Sequence, residues 1–372
     1  IESYYKSLNK EYTLLEMNHR ANNTKLPPVY IEDMRFEFQG GNRSIFSKKL
    51  DGLIEDRLAK KEQVILLLNR RGHSSFVMCR SCGEVIMCPN CDISLTYHEN
   101  TDKLKCHYCG HNMAKPTHCH ACNSLDISAK GFGTEQVELE LIKLFPEKRI
   151  ARMDQDTTRG KHGYEKIINA FKNEEIDVLV GTQMLAKGLH FDKVTFVGIL
   201  NADNLLNQPN FRAYERAFQM IVQVSGRAGR KDLPGKVMIQ TYNPFHNTLQ
   251  QVLSNDYAAM FKEQIYERKN FNYPPYVRLL KLTLKHRDYE KLKEGSMWLY
   301  SVLNQSLNMT VLGPEEPAIS KIRNEFIRTI LIKIPSNVHL GNSKMKINKI
   351  LMSFDAIAQY RSIRVNVNVD NY

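Results

Sequence analysis

The sequence predicts an α/β fold: a doubly wound parallel sheet, interrupted by a cysteine-rich insertion and followed by a smaller β-α-β-β-α-β unit. Three observations predict it. Apolar runs such as Val64 to Leu68 have the composition of strands buried on both faces of a parallel sheet. Beyond residue 122 such runs alternate with helical patterns about 10 to 15 residues long, the rhythm of strands joined by crossover helices. All 8 cysteines fall between Cys79 and Cys122 as C-x-x-C pairs, so the chain leaves the sheet there and rejoins it afterwards.

Taken in order, residues 1–46 show no clear period and read as irregular. A helix follows over about Ser47 to Lys61, with Ser47 as its cap and Leu50, Leu53, Ile54 and Leu58 on one face. "VILLLNRRG" is then a central strand. After the cysteines come a strand at "ISAKGFG", a helix from Thr134, a strand at "RIARMD", a helix around Tyr164 to Asn173 and a strand at "IDVLVG". "VTFVGIL", a helix leading into Gln223, and "KVMIQT" complete the sheet. Past the helix carrying "FKEQIYERKNF", Pro274-Pro275 breaks the pattern and reads as a linker. The remainder reads as a strand (Val277 to Leu284), a helix (Tyr289 to Leu307), strands around Val311 and "RTILIKI", a helix (Lys344 to Tyr360) and a last strand, "SIRVNVNVD". That is the split βαβ order. The expected divisions are 1–78 for the start of the sheet domain, 79–122 for the insertion, 123–270 for the rest of the sheet domain and 271–372 for the C-terminal domain.

The 372 residues suffice for two or three domains. Lys and Arg number 52 against 40 Asp and Glu, a net charge of +12 that points to a polyanionic partner. From Asn272 onward, fifteen Lys/Arg face eight Asp/Glu, which is +7 in that part alone. No run of about 18 apolar residues exists, so no membrane span is expected. The chain begins in mid-pattern at Ile1, without a signal-peptide pattern, and reads as a piece of a longer protein. Cysteines confined to one short block of a large chain are not a secreted disulfide framework, and a reducing cytoplasm is expected.

The cysteine spacing is Cys79-x2-Cys82-x5-Cys88-x2-Cys91-x14-Cys106-x2-Cys109-x9-Cys119-x2-Cys122. Eight thiolates are enough for two tetrahedral Zn2+ sites of four thiolates each. Disulfides or redox pairs are the other readings, but redox C-x-x-C motifs come singly and disulfides suit another compartment. A site made only of protein thiolates has no open position, so its role is structural. The five-residue spacer is tight for one site and the fourteen-residue spacer comfortable, so nested pairing is expected. Cys88, Cys91, Cys106 and Cys109 then hold one ion, and Cys79, Cys82, Cys119 and Cys122 the other. Gly83 and Gly110, directly after their knuckles, let the backbone turn tightly. His98, His107, His111, His118 and His120 are spare ligands at best and read rather as ordinary surface histidines.

Two further stretches face phosphate. In "QVSGRAGR", Gln223 to Arg230, Arg227 and Arg230 share one face at helical spacing, and their like charges call for an anion. Arginine offers a planar fork for phosphoryl oxygens, and Ser225, Gly226, Ala228 and Gly229 keep the nearby surface clear. A solvated arginine pair is the competing reading. "VLVGTQMLAKGLHF" places Thr182, Gln183, Lys187 and Gly188 after a strand, at the carboxyl edge where ligands bind in such sheets. "LLLNRRG" puts Asn69, Arg70 and Arg71 at another strand end, and "GFGTEQ" puts Thr134 at a helix start.

"GTQMLAKG" and "QVSGRAGR" resemble motifs V and VI of superfamily 2 helicases. With "VILLLNRRG", the four knuckles, "GFGTEQ", "RMDQDTT", "NFRAYERAFQ", "NYPPY" and "SIRVNVNVD", nearly the whole chain is similar to the PriA family of replication-restart helicases, also called primosomal protein N′. The resemblance implies that the sheet is RecA-like and forms a second helicase lobe. It implies a cytoplasmic 3′-to-5′ DNA helicase that recognises abandoned replication forks and helps reload the replicative helicase. ATP and Mg2+ would lie between two lobes, with Arg230 as the arginine finger on the γ-phosphate, Arg227 its companion and Gln223 a polar link. Gly188, Gly226 and Gly229 would allow close approach to the nucleotide. Arg70, Arg71, Thr134, Thr182, Gln183 and Lys187 would contact nucleic acid, the C-terminal domain at 271–372 would bind branched DNA, and the cysteine-rich insertion would serve strand separation and contacts with partner proteins. Implied partners are single-stranded and forked DNA, a single-strand DNA-binding protein, primosome proteins and the loader of the replicative helicase.

The departure from the family pattern is the lack of a G-x-x-x-x-G-K-[ST] loop and of an acidic Mg2+ motif in the 372 residues. Those elements are expected in a first lobe preceding Ile1, and the chain by itself is expected not to hydrolyse ATP. The competing function is a zinc-dependent DNA-binding scaffold without a motor.

Overall fold

The computed structural model describes residues 1–17, 26–68, 76–129, 131–160, 162–186, 191–229 and 234–370. Its central feature is a sheet of 6 parallel strands in the order Val29–Asp33, Lys236–Thr241, Val194–Ile199, Gln63–Leu67, Val178–Gly181, Ile150–Met153. Alternation along Gln63–Leu67 builds two cores. Ile65 and Leu67 face one, with Ile168, Phe171, Ala217, Ile221 and Val224 of the helices on that side. Val64 and Leu66 face the other, with Leu50, Ile54 and Leu58 of the helix Lys48–Ala59 and with Val137 and Leu141 of Thr134–Leu144. Apolar residues at successive positions are what a strand covered on both faces requires. Ser47 caps its helix by accepting from the Leu50 N–H.

Two expectations need correction. Residues 1–46 are not irregular: they contain the helix Glu2–Leu8, the strand Val29–Asp33 and the helix Met34–Gln39. That strand pairs in parallel with Lys236–Thr241 along its whole length, yet it lies at the sheet edge and none of its residues is fully buried. An edge strand carries no apolar run, which is why no period marks it. The stretch "ISAKGFG" is not a strand of the parallel sheet either. Among its described residues, Ile127–Ser128 alone forms a strand, and it pairs antiparallel with Met78–Cys79 to close the neck of the insertion. A further helix, Asn247–Leu253, follows the last parallel strand.

The C-terminal part forms an antiparallel sheet with strand order Thr310–Glu315, Glu325–Pro335, Val277–His286, Arg364–Val369, as the β-α-β-β-α-β pattern requires. Leu280, Leu282 and Leu284 meet Leu292, Leu299 and Leu303 of the helix Tyr289–Ser306, and Ile347 and Phe354 of Leu340–Ala356. The opposite face, through Val277, Leu279 and Leu331, packs on the cysteine-rich insertion. The segment around Pro274-Pro275 is packed as well. Tyr273 is buried, stacks on Phe211 with ring centroids 4.6 Å apart and donates its hydroxyl to the Cys91 carbonyl at 2.8 Å. Among the described residues, no helix is long and apolar enough to cross a membrane.

Candidate metal, nucleic-acid and nucleotide sites

The eight thiols are free of disulfides and gather into two clusters, Cys88/Cys91/Cys106/Cys109 and Cys79/Cys82/Cys119/Cys122, in the nested arrangement. Within each, all four Sγ atoms lie within 4.8 Å of one another. Sulfurs from different knuckles approach to 3.6 Å in the pairs Cys79–Cys122, Cys82–Cys119 and Cys88–Cys109. The four knuckles share one hydrogen-bond pattern. The N–H of each first cysteine donates to a carbonyl five residues on: Cys79 to Glu84, Cys88 to Ile93, Cys106 to His111, Cys119 to Ser124. Each turn closes through a residue of left-handed backbone, Gly83, Asp92, Gly110 and Asn123.

The donor set fits a thiophilic dication. Four thiols in contact cannot all ionise unaided: hydrogen bonds from Cys106 and Cys91 hold Cys88 far below the usual thiol range, while those same contacts with Cys106 and Cys88 push Cys91 far above it. A bound Zn2+ would remove that conflict by neutralising two thiolate charges, and both clusters are consistent with Zn2+ sites. The histidines stand outside both groups. His98 and His107 touch each other, Nε2 to Nε2 at 3.2 Å.

Gly83 and Gly110 do more than turn the chain. A Cβ on Gly83 would stand 2.2 Å from the Tyr242 carbonyl oxygen, so the first knuckle sits directly on backbone just beyond the strand Lys236–Thr241. A Cβ on Gly110 would stand 2.1 Å from the Glu315 carboxylate of the C-terminal sheet. The insertion is thereby wedged between the two sheets. The buried carboxyl of Asp203 shapes the first contact by accepting from the Tyr242 N–H and the Thr241 hydroxyl. Burial pushes Asp203 up to about 6.

The two stretches that the sequence marks as candidates for phosphate occupy opposite ends of the parallel sheet. Thr182 follows the strand Val178–Gly181, and its N–H donates to the carbonyl of Met153, the last residue of the neighbouring strand. Half-buried Thr182 and exposed Gln183 are therefore at the carboxyl edge. Gln223 to Gly229 instead end the helix Ala213–Ser225, which runs back across the sheet. The Gly229 N–H donates to the carbonyl of Val194, the first residue of its strand, which marks the amino edge. A strand of five residues separates the two ends by roughly 15 to 20 Å. Gln223 is exposed, and Gly226 and Arg227 are half-buried.

Thr134 is placed differently from a surface contact. It is buried, and its hydroxyl donates to Asp154 at 2.7 Å. Burial pushes Asp154 up, but that hydroxyl and the Thr157 and Asp156 N–H groups outweigh it and hold the carboxyl below its usual range. The "RMDQDTT" stretch is thus a carboxylate knot tying a helix start to the turn after Met153. Asn69, Arg70, Arg71, Lys187, Gly188 and Arg230 lie outside the described residues.

Sequence reasoning missed the groups that hold the Ala213–Ser225 helix. Glu215, in its first turn, accepts from the fully buried Arg268 at 2.9 Å. Arg268 also donates to the Pro274 carbonyl at 3.1 Å and to Glu2 at 2.9 Å. One guanidinium therefore joins that helix to the segment that enters the C-terminal sheet. Buried arginine among acids has no period in a sequence, so only the fold reveals it.

Residues 131–232 match the helicase conserved C-terminal domain, 88–113 the PriA DNA helicase Cys-rich region domain, and 269–372 the primosomal protein N C-terminal domain. The replication restart protein PriA of Bacillus subtilis is 41% identical over 374 residues, covering 100% of this chain and 46% of that protein. That of Synechocystis sp. is 40% identical over 364 residues, covering 96% of this chain and 43% of that protein. The chain belongs to the PriA family. It spans about half the length of the curated relatives it matches. A remote likeness among solved structures is RecG bound to a three-way DNA junction, at 9% identity and TM-score 0.36, covering 68% of this chain and 23% of that one. The matched helicase region takes in both the carboxyl-edge loop and the amino-edge arginine stretch, so the parallel sheet is the RecA-like helicase fold of the PriA family. The matched Cys-rich region begins at Cys88 and encloses the inner cluster.

Proposed function

We propose that the chain is the C-terminal part of an ATP-dependent 3′-to-5′ DNA helicase that recognises stalled or abandoned forks and initiates primosome assembly. The observation that carries this reading is the opposition of the two phosphate-facing stretches across one rigid sheet. A strand's phosphates held at the carboxyl edge by Thr182 and Gln183, and contacted by Lys187, Arg70 and Arg71 as the resemblance implies, would be tied mechanically to a nucleotide at the amino edge. On this reading Arg230 is the finger toward the γ-phosphate, Arg227 its companion and Gln223 a polar link, with Gly226 and Gly229 and, as the resemblance implies, Gly188 allowing close approach. Thr134, with its hydroxyl committed to Asp154, serves by fixing its helix start rather than by touching nucleic acid. ATP and Mg2+ are shared with a first lobe, and Zn2+ in both thiol clusters is structural. A single-strand DNA-binding protein, primosome proteins and the helicase loader are the partners, in the cytoplasm.

Arg230→Ala, tested in the protein that includes the first lobe, should lower DNA-stimulated ATPase about a thousandfold or more, as loss of an arginine finger does. Single-strand affinity should hold. Near-normal turnover would end the finger assignment. The chain alone should bind forked DNA with a steep salt dependence and show no ATPase; if it does bind forks and hydrolyses ATP, the shared site is wrong.

A further inference from the structure

The C-terminal sheet meets the insertion through one face, and a single residue on that face breaks its apolar pattern. Along the strand Glu325–Pro335, Ile330, Ile332 and Ile334 enter the core under the two helices, while Leu331 joins the core of the insertion. Lys333 shares the face of Leu331 by the period of two, and it lies opposite Leu279, another residue of that core. It is only 6% exposed. A lysine is almost never so deeply buried unless its charge is paired.

The protein supplies this ammonium with no acid. Its Nζ donates to the Phe271 carbonyl at 2.7 Å and stands 4.1 Å from the centre of the Tyr273 ring. Among the described residues, no carboxylate forms an ion pair with it. Glu315 is taken by Lys105 at 2.5 Å, and Glu2 and Glu215 by Arg268. What lies beyond Tyr273 is the inner thiol cluster: the same ring that carries the ammonium donates its hydroxyl to the Cys91 carbonyl. Burial pushes Lys333 down, while Cys91, Cys109 and Cys106 push it up. Four thiolates around one Zn2+ carry a net charge of about −2, and three of these thiols are buried. Amides take up part of that charge, the Tyr108 N–H on Cys106 Sγ at 3.4 Å and the Asn90 side chain on Cys109 Sγ at 3.7 Å. The remainder calls for a cation, as Lys333 calls for an anion. The outer cluster has less need of one, since its Cys122 is exposed to water.

We propose that Lys333 is the buried counter-ion of the inner four-thiolate metal site, so that metal binding in the insertion and docking of the C-terminal sheet stabilise each other. Such coupling is reciprocal by linkage. With the metal bound, ammonium and thiolates neutralise one another across the interface. With the thiols protonated and metal-free, Lys333 is a buried charge without a counter-charge, which favours undocking. The proposal rests on the reading that these thiols hold Zn2+, and it assigns the site's charge balance to a residue of another domain.

The test uses the 372-residue chain. In competition with a chromophoric zinc chelator, Lys333→Met, close to lysine in length but neutral, should give up one ion at about tenfold lower chelator concentration than the wild type, as loss of an outer-shell partner does. Chymotrypsin cleavage after Tyr273, which is buried in the docked joint, reads docking. Zinc-loaded, the variant should be cut about tenfold faster than the wild type. Stripped of zinc under reducing conditions, it should be cut no faster. Lys333→Gln, which keeps a donor for the Phe271 carbonyl, should behave as Lys333→Met does. Lys281→Gln, on the same face of the sheet but shifted by burial and by no thiol, should move neither reading more than about twofold. Faster cutting of Lys333→Met both with and without zinc makes Lys333 a packing residue and overturns the proposal. Zinc affinity unchanged in Lys333→Met, or wild-type behaviour of Lys333→Gln, overturns it too, and all three leave the zinc reading in place. A wild-type chain that binds no zinc overturns both.

Discussion

The inner cluster, Cys88/Cys91/Cys106/Cys109, has three buried thiols and lies in a core shared with Phe211, Tyr273, Leu279 and Leu331 from outside the insertion. The outer cluster, Cys79/Cys82/Cys119/Cys122, leaves Cys122 exposed and Cys82 half-buried, and it touches the rest of the molecule mainly through its first knuckle. Their knuckles are the same hydrogen-bonded turn, so ligand geometry is a local property. What differs is packing. One cluster is part of the molecule's interior, and the other staples the two ends of the insertion together.

That contrast is sharpest in the ligands themselves. Cys106→Ser should remove both ions and cost more than about 4 kcal/mol, because loss of a structural metal here also opens the shared core. Elemental analysis and thermal unfolding measure the two effects. Cys122→Ser should remove one ion and spare the inner site, at a smaller loss of stability. The outer cluster closes the longer loop, a difference of only about 1 kcal/mol from chain length, and the folded inner ribbon offsets it. If Cys122→Ser empties both clusters while Cys106→Ser empties one, the order of dependence is reversed.

Next come the docking glycines. Gly83→Ala places a methyl group against the Tyr242 backbone in a left-handed conformation, and should cost about 2 to 3 kcal/mol. Gly110→Ala meets the end of the Glu315 side chain, which can move, and should cost nearer 1 kcal/mol. Both should keep two zinc ions. Equal costs would mean that the Tyr242 contact is not the anchor of the outer knuckle. An effect as small, about 1 kcal/mol, is expected from Tyr273→Phe, which leaves the buried Cys91 carbonyl without its donor. Unfolding of this variant with and without chelator should show that the loss disappears when the inner metal is gone.

Much of the candidate metal site was legible because its determinants are local. C-x-x-C spacing sets each knuckle, and the lengths of the spacers favour nesting, which the clusters adopt. The central strands were equally legible, since burial on both faces demands an uninterrupted apolar run such as Val64 to Leu68. Val29–Asp33 was not, because an edge strand needs no such run. "ISAKGFG" misled because composition alone does not say which partner a short extended segment finds.

Spacing and residue type by themselves determined the four thiol knuckles, the glycines that let them turn, and the alternation of strands and helices, and they marked two stretches as candidates for phosphate. Only the tertiary structure decided that those two stretches lie at opposite ends of one sheet, because a helix returning across parallel strands carries its last turn to their amino edge. It also turned Thr134 inward onto Asp154 and converted the Pro274-Pro275 segment into a packed joint around Arg268 and Tyr273. Each of these depends on which residues meet across tens or hundreds of positions, and such meetings are set by the packing of whole elements, not by the pattern within any one of them.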